Sequence, residues 1–186
     1  MAIESQTAPV VTPAPDIAGA GAGFMTRRVM GTIIVAILVL DQVTKLLVRT
    51  QTSLHDSIAV VPGLLNLVHV RNTGAAFGFL NTVNIANKQL LMTTVAVVAL
   101  VAIGTYAWQV RSQDSLARSG LALILGGAIG NLIDRASAGY VIDFIDVYWR
   151  IYHFWAFNVA DSAITVGACL LILDMFVASR DVPTPL

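Results

Sequence analysis

The sequence contains little charge, one cysteine and three histidines in 186 residues. Charged residues make up 12% of the chain and the formal net charge is zero, so we expect no nucleic-acid partner. Cys169 has no second cysteine to pair with and lies inside an apolar run, which indicates a small packing or lipid-facing residue. We expect His55, His69 and His153 to be interfacial surface residues.

Apolar side chains dominate the rest of the composition. Hydrophobic residues make up 56% of the chain and the mean hydropathy is +0.77, values typical of an integral membrane protein. Four apolar runs of about 20 residues, the length that crosses a bilayer, lie at about 29–48, 89–108, 119–138 and 159–178. The first is too long and too far from residue 1 for a secretory signal peptide. We therefore predict one membrane domain over 26–180.

Two terminal segments and two connecting segments lie outside these runs. The Ala/Pro/Gly-rich segment 1–25 and the segment 181–186 are predicted to be cytoplasmic tails, the first of them disordered. Lys and Arg counts on the two sides are equal, but Arg27, Arg28 and Arg111 are ordinary flanking charges and favour cytoplasmic termini. Segments 50–88 and 139–157 would then be extracytoplasmic.

The connecting segments differ in pattern. Pro62-Gly63 indicates a turn, and the β-branched character of 65–70 indicates a short strand. The aromatic-rich segment 139–157 is predicted to lie along the membrane interface. The predicted fold class is an all-α membrane protein: four transmembrane helices with a small extracytoplasmic β-rich flap and an interfacial segment.

Several polar residues interrupt the apolar pattern near the predicted outer ends of the helices. Asp41 and Lys45 are four residues apart, so they share a helix face and can neutralise each other. Gly126 and Gly130 form a Gly-x-x-x-Gly face suited to close helix packing. An internal salt bridge would explain the adjacent Asp134 and Arg135, and Asp134 is interpreted as structural. Asn72 adjoins small residues and could belong to a simple turn.

Asp143 and Asp161 are the residues that packing does not explain. Both lie at the edge of apolar sequence, where an ionised carboxylate is costly unless it is paired or functional. If the two meet, their like charges leave one shared proton at neutral pH, as in aspartic proteases. One carboxylate would activate water and the other would polarise the scissile carbonyl.

Three other functions remain open from these residues alone. An ion or proton transporter would also carry membrane carboxylates, although it usually spreads charge through the membrane depth, and here the middles of the last three helices have none. A metal-dependent protease could use Asp143, Asp146, His153 and Asp161 as ligands, but no His-Glu-x-x-His motif is present. A scaffold protein would explain the glycines and ion pairs but not the two aspartates.

Five motifs together resemble the bacterial lipoprotein signal peptidases, signal peptidase II. They are DQVTK at 41–45, NTGAAF at 72–77, GGAIGNLIDR at 126–135, VIDF at 141–144 and FNVADS at 157–162. The resemblance implies an aspartyl endopeptidase of the bacterial inner membrane that removes the signal peptide of prolipoproteins just before a cysteine carrying diacylglycerol. It implies Asp143 and Asp161 as the catalytic pair, with no metal or other cofactor.

The same resemblance implies residues that line or support the active site: Asp41, Lys45, Asn72, Gly74, Asn131, Arg135, Asn158 and Ala160. From their chemistry, we expect the three asparagines and Arg135 to hold the substrate backbone or to orient the aspartates. Expected partners are the diacylglyceryl-modified prolipoprotein and membrane lipid, and the enzyme is expected to be a monomer.

Overall fold

The computed structural model of the protein describes residues 25–74, 86–111 and 114–178. Four long apolar helices dominate it: α1 Arg27–Gln51, α2 Lys88–Gln109, α3 Ser115–Ala138 and α4 Val159–Ala178. Each is long and apolar enough to cross a membrane, so the prediction of four transmembrane helices is confirmed. Residues 1–24 and 181–186 lie outside the described residues, and the predictions made for them stay predictions.

A small sheet completes the fold. Its strands are β1 Ser57–Val61, β2 Leu65–Asn72, β3 Val141–Trp149 and β4 Tyr152–His153, antiparallel in the order β1-β2-β3-β4. The turn between β1 and β2 has Gly63 at a positive φ of 82° and a hydrogen bond from Leu64 N to Val61 O of 3.0 Å. The turn and strand predicted from sequence are therefore confirmed.

The aromatic-rich segment 139–157 is part of the sheet, and its place along the membrane interface stays a prediction. Most of it forms β3 and β4, because the Val141-Ile142 start of β3 pairs with Asn72 and Arg71 at the end of β2. The β-rich flap is therefore built from both connecting segments. This pairing also sets Val70 opposite Asp143, beside an irregularity of the register between Leu67 and Val70.

Gly139 makes the turn that returns the chain from α3 to the sheet. It caps α3 with a positive φ of 81°, and its N–H donates to the carbonyl oxygen of Arg135 at 3.1 Å. Residues other than glycine rarely adopt this conformation. The turn places Asp143, four positions later, beside the end of the helix that carries Asn131 and Arg135.

Helix α3 is the central and most buried helix, and its glycines allow α1 and α4 to pack closely against it. A Cβ on Gly126 would lie 3.0 Å from Ile37 Cβ of α1, and one on Gly130 would lie 2.5 Å from Asp41 Oδ2. Gly127 faces α4 instead, where a Cβ would overlap the carbonyl oxygen of Ala160. The predicted glycine packing face is confirmed, and it extends to a second helix.

We expect Gly127→Ala to destabilise the protein by about 1–3 kcal/mol, the usual cost of overpacking a close contact. The added methyl group meets the backbone of Ala160, which has no rotamer to change, so the first turn of α4 must move. The matched control is Gly104→Ala, where a Cβ meets nothing within 4 Å. Thermal unfolding in detergent measures both; equal unfolding temperatures would contradict the close packing.

Candidate active site

Asp143 lies on β3 with 2% of its surface exposed and receives a hydrogen bond on each carboxylate oxygen. Asn72 Nδ2 donates to Oδ2 at 3.0 Å, and Asn158 Nδ2 donates to Oδ1 at 2.7 Å. Asn72 is itself oriented by Gly74, whose backbone N–H donates to Asn72 Oδ1 at 2.9 Å. The Asn72-Thr73-Gly74 turn therefore presents its amide group to the aspartate.

Asp161 lies in the first turn of α4 and takes part in the capping of that helix. Its backbone N–H donates to Asn158 Oδ1 at 2.9 Å, while the Asn158 N–H donates back to Asp161 Oδ2 at 3.3 Å. This reciprocal pattern is a capping box, the arrangement that satisfies free N–H groups at a helix start. The other carboxylate oxygen, Oδ1, accepts from Asn131 Nδ2 at 2.8 Å.

Asn158 connects the two aspartates. It is fully buried, and besides Asp143 its Nδ2 group lies 3.2 Å from Ile142 O and 3.3 Å from Asn131 Oδ1. Its backbone N–H donates to the Asp161 carboxylate, and its side-chain oxygen accepts from the Asp161 backbone N–H. Strand β3 and helix α4, which carry the two carboxylates, are therefore joined through one side chain.

The two carboxylates also interact electrostatically. Burial raises the pKa of Asp143 to about 7, with the negative charge of Asp161 as the second cause, against hydrogen bonds from Asn72 and Asn158 that favour the ionised form. A carboxyl group with this pKa holds a proton for much of the time near neutral pH. The pair can therefore supply an acid and a base together.

A buried ion cluster lies directly behind the aspartates. Lys45 Nζ donates to Asp41 Oδ2 at 2.8 Å and to Asn131 Oδ1 at 2.9 Å, and it forms an ion pair with Asp134 Oδ2 at 2.9 Å. The predicted Asp41–Lys45 pair is confirmed. Asp134 was expected to pair with its neighbour Arg135 but pairs with Lys45 instead, because α1 and α3 meet at this level.

The remaining predicted residues join the same network through backbone groups. Arg135 Nη2 donates to Gly74 O at 3.0 Å, and Arg135 Nη1 donates to Asn131 O at 3.4 Å. Ala160, fully buried, donates its backbone N–H to Asp41 Oδ1 at 3.0 Å. The structure thus brings together every site residue predicted from the sequence. Ala75, Ala76 and Phe77 of the second motif lie outside the described residues.

Comparisons with known proteins agree on one family. The family described as Signal peptidase (SPase) II matches residues 33–177. The chain belongs to the signal peptidase II family. The lipoprotein signal peptidase of Geobacter sulfurreducens is 46% identical over 155 residues, 83% of this chain and 96% of its own length. That of Geobacter metallireducens is 48% identical over 148 residues, 80% of this chain and 90% of its own length.

Solved structures show the same fold. A bacterial membrane enzyme determined by the in meso method at 2.3 Å resolution has a TM-score of 0.75 and 30% identity, covering 86% of this chain and 95% of its own. The chain is therefore a multi-pass membrane protein and an aspartic-type peptidase. The transporter and scaffold alternatives are not favoured.

The polar contacts of two residues were not predicted from the sequence, those of Gln42, which is half-buried, and of His69, which is buried. Gln42 Nε2 lies within hydrogen-bond distance of Asp41 Oδ2, Gly130 O and Asp134 Oδ1, at 3.2, 3.2 and 3.3 Å. An amide next to Asp41 in an apolar helix was a signal for it. His69, expected at the surface, is only 4% exposed, and its Nδ1 lies 3.0 Å from Thr52 O. That expectation was wrong because His69 packs against the residues that follow α1, where its backbone N–H also donates to Asp56 O at 3.3 Å.

The residues considered as metal ligands, Asp143, Asp146, His153 and Asp161, do not form a metal site among the described residues. His55 and His153 are exposed; His153 Nδ1 lies 2.9 Å from Asp146 Oδ1, and Asn66 Nδ2 donates to Asp146 Oδ2 at 3.0 Å. Within 25–74, 86–111 and 114–178, no group of three or more His, Cys, Asp or Glu side chains could hold a metal ion. The carboxylates of Asp143 and Asp161 are instead bound by amides.

Proposed function

We propose that this protein removes the signal peptide of diacylglyceryl-modified prolipoproteins, cutting just before the lipidated cysteine, and that Asp143 and Asp161 are its catalytic pair. The observation that carries the proposal is the joining of both aspartates through Asn158. The names of the relatives, lipoprotein signal peptidases, support the substrate class.

The chemistry follows from one proton shared by two carboxyl groups. The ionised carboxylate removes a proton from a water molecule, which attacks the scissile carbonyl carbon, while the protonated carboxyl group donates to the carbonyl oxygen. A proton then passes to the leaving amine. Every step uses groups that this chain itself supplies.

The supporting residues have separable roles. Asn72, Asn131 and Asn158 orient the carboxylates, since each donates to one of them. Arg135 holds the Gly74 carbonyl and so fixes the turn that begins at Asn72. Asp41, Lys45 and the backbone of Ala160 tie α1 and α4 to α3 behind the pair.

We place the enzyme in the bacterial inner membrane as a monomer, with cytoplasmic termini and an extracytoplasmic active site. The sheet and both aspartates lie at one end of the helices, whereas Arg27 and Arg28 begin α1 at the other. Arg27 lies over the Trp108 ring at 4.0 Å, as suits an aromatic belt beside basic flanking residues. A lipid-anchored cysteine and an apolar signal helix can approach such a site within the bilayer.

Cleavage of a synthetic prolipoprotein peptide tests the function. Purified protein in detergent with a metal chelator is given two peptides of one sequence, one with a diacylglyceryl cysteine and one with a free cysteine. We expect mass spectrometry to find cleavage just before the lipidated cysteine and little or none of the free form. No cleavage of either peptide, or equal cleavage of both, would contradict the proposal.

The pH dependence should be bell-shaped. The pair must keep one proton and lose the other, so kcat/KM should fall as pH rises through about 7, where the raised pKa of Asp143 places loss of the shared proton. It should also fall in acid, when both carboxyl groups are protonated. Initial rates with the lipidated peptide across this range measure it; a rate that only rises through neutral pH would count against a shared proton.

A further inference from the structure

The two aspartates differ in the charge that stands behind their hydrogen-bond donors. Asp161 accepts from the backbone N–H of Asn158 at the start of α4, where the helix dipole favours an anion. Its second donor, Asn131 Nδ2, belongs to an amide held at its other end by Lys45. Both donors to Asp161 therefore carry positive polarisation.

The orientation of the Asn131 amide follows from Lys45. An ammonium group only donates, so the end of Asn131 that lies 2.9 Å from Lys45 Nζ must be the carbonyl oxygen. The amide nitrogen then has to face Asp161 Oδ1, at 2.8 Å. A cation on the carbonyl end of an amide strengthens donation by its N–H group, because hydrogen-bonded groups polarise one another. Asn131 thus extends the positive charge of Lys45 to Asp161.

Asp143 lies in a different setting. It lies on a strand, which has little net dipole. Its donors are the amides of Asn72 and Asn158, whose side-chain oxygens accept from the neutral backbone N–H groups of Gly74 and Asp161. Its side chain is nearly inaccessible to water, at 2% exposure. An ionised carboxylate is less favoured here than at Asp161.

From this difference we infer that Asp161 is the base of the pair and Asp143 is the acid, with Asn131 as the positioning residue through which Lys45 stabilises the Asp161 carboxylate. The inference rests on the proposed function. Among the described residues, the charged groups that act on the two aspartates, besides each other, are Lys45 from α1, which also contacts Asp41 and Asp134, and Arg135 from α3. The pKa of about 7 for Asp143 agrees with the assignment.

The assignment gives each proton a defined route. Asp161 takes a proton from water as the water oxygen bonds to the scissile carbon, and Asp143 gives its proton to the carbonyl oxygen, which produces a gem-diol. Asp161 then donates its new proton to the leaving nitrogen as the C–N bond breaks. Asp143 recovers a proton from one gem-diol hydroxyl, which leaves a carboxylic acid, a free amine and the pair in its starting state.

Two alanine variants test the assignment through opposite ends of the pH profile. Asn131→Ala removes a donor to Asp161, so the acid limb of kcat/KM should move up by about one pH unit, with the alkaline limb less affected. Asn72→Ala removes a donor to Asp143, so the alkaline limb should move up by a similar amount. Loss of structure alone would lower the rate without moving one limb. A shift of the alkaline limb in Asn131→Ala and of the acid limb in Asn72→Ala would overturn the assignment.

Infrared spectroscopy tests it without any activity, so its failure is distinct from failure of the peptidase proposal. In mildly acidic buffer, the C=O stretch of a neutral carboxyl group should appear in the wild type and vanish in Asp143→Asn. It should persist in Asp161→Asn, with a lower titration midpoint, because burial remains while the charge of Asp161 is lost. Asp56→Asn, at an exposed turn, is the control. Loss of the band in Asp161→Asn but not in Asp143→Asn, or in neither variant, would overturn the assignment.

Discussion

Asp143→Asn and Asp161→Asn should each lower the rate of prolipoprotein cleavage by about 10³-fold or more, since positioned proton transfer contributes about 10²–10⁴ to a rate and each carboxyl group transfers protons in two steps. Asparagine keeps the size of the side chain and can still accept one hydrogen bond, but it exchanges no proton. The rate is measured with the lipidated peptide at saturating concentration.

The control for this experiment separates chemistry from folding and binding. Asp56→Asn makes the same chemical change at an exposed turn before β1 and should leave the rate within about twofold, because exposed substitutions rarely perturb a distant site. Both dyad variants should unfold near the wild-type temperature and still bind the lipidated peptide. A dyad variant with a rate within tenfold of the wild type would remove that aspartate from the catalytic pair.

Lys45→Met should destabilise the protein by about 3–5 kcal/mol, the cost of removing one partner from a buried ion pair. Lys45 is 3% exposed, and its removal leaves Asp41 and Asp134 buried without the cation that both contact. Methionine has similar length, so the loss reflects charge rather than a cavity. Thermal unfolding in detergent micelles provides the measurement.

Two further variants show whether this effect comes from the buried aspartates. Arg49→Met removes an exposed cation one turn further along α1 and should change the unfolding temperature little. Lys45→Met combined with Asp134→Asn should recover part of the loss, since one uncompensated charge is removed with its cation. A double variant less stable than Lys45→Met alone would show that the cluster is not held together by charge.

Local patterns accounted for the helices and the contacts that repeat along one helix. Apolar run length gave the four spans, and the four-residue spacing gave the Asp41–Lys45 pair, because both depend only on helix geometry. The glycines at 126 and 130 indicated close packing for the same reason. The five motifs indicated the site residues through resemblance to a family.

Contacts between distant segments could not be read in this way. Asp134 adjoins Arg135 in sequence, yet successive helical residues point to different sides, and only the meeting of α1 and α3 shows that Lys45 is its partner. The pairing of β3 with β2 likewise depends on the turn at Gly139 and not on the pattern of 139–157 alone. His69 was predicted at the surface because a single histidine in the sequence does not show which face of a strand it occupies.

The capping box at Asn158 makes the start of α4 and the geometry of the catalytic pair a single property of the molecule. The bonds that satisfy the first turn of the helix are the bonds that hold Asp161, and the same asparagine holds Asp143. Inserting or deleting one residue between 158 and 161 would rotate Asp161 by about 100° around the helix axis. Grafts between relatives must therefore move the four residues from Asn158 to Asp161 as a block.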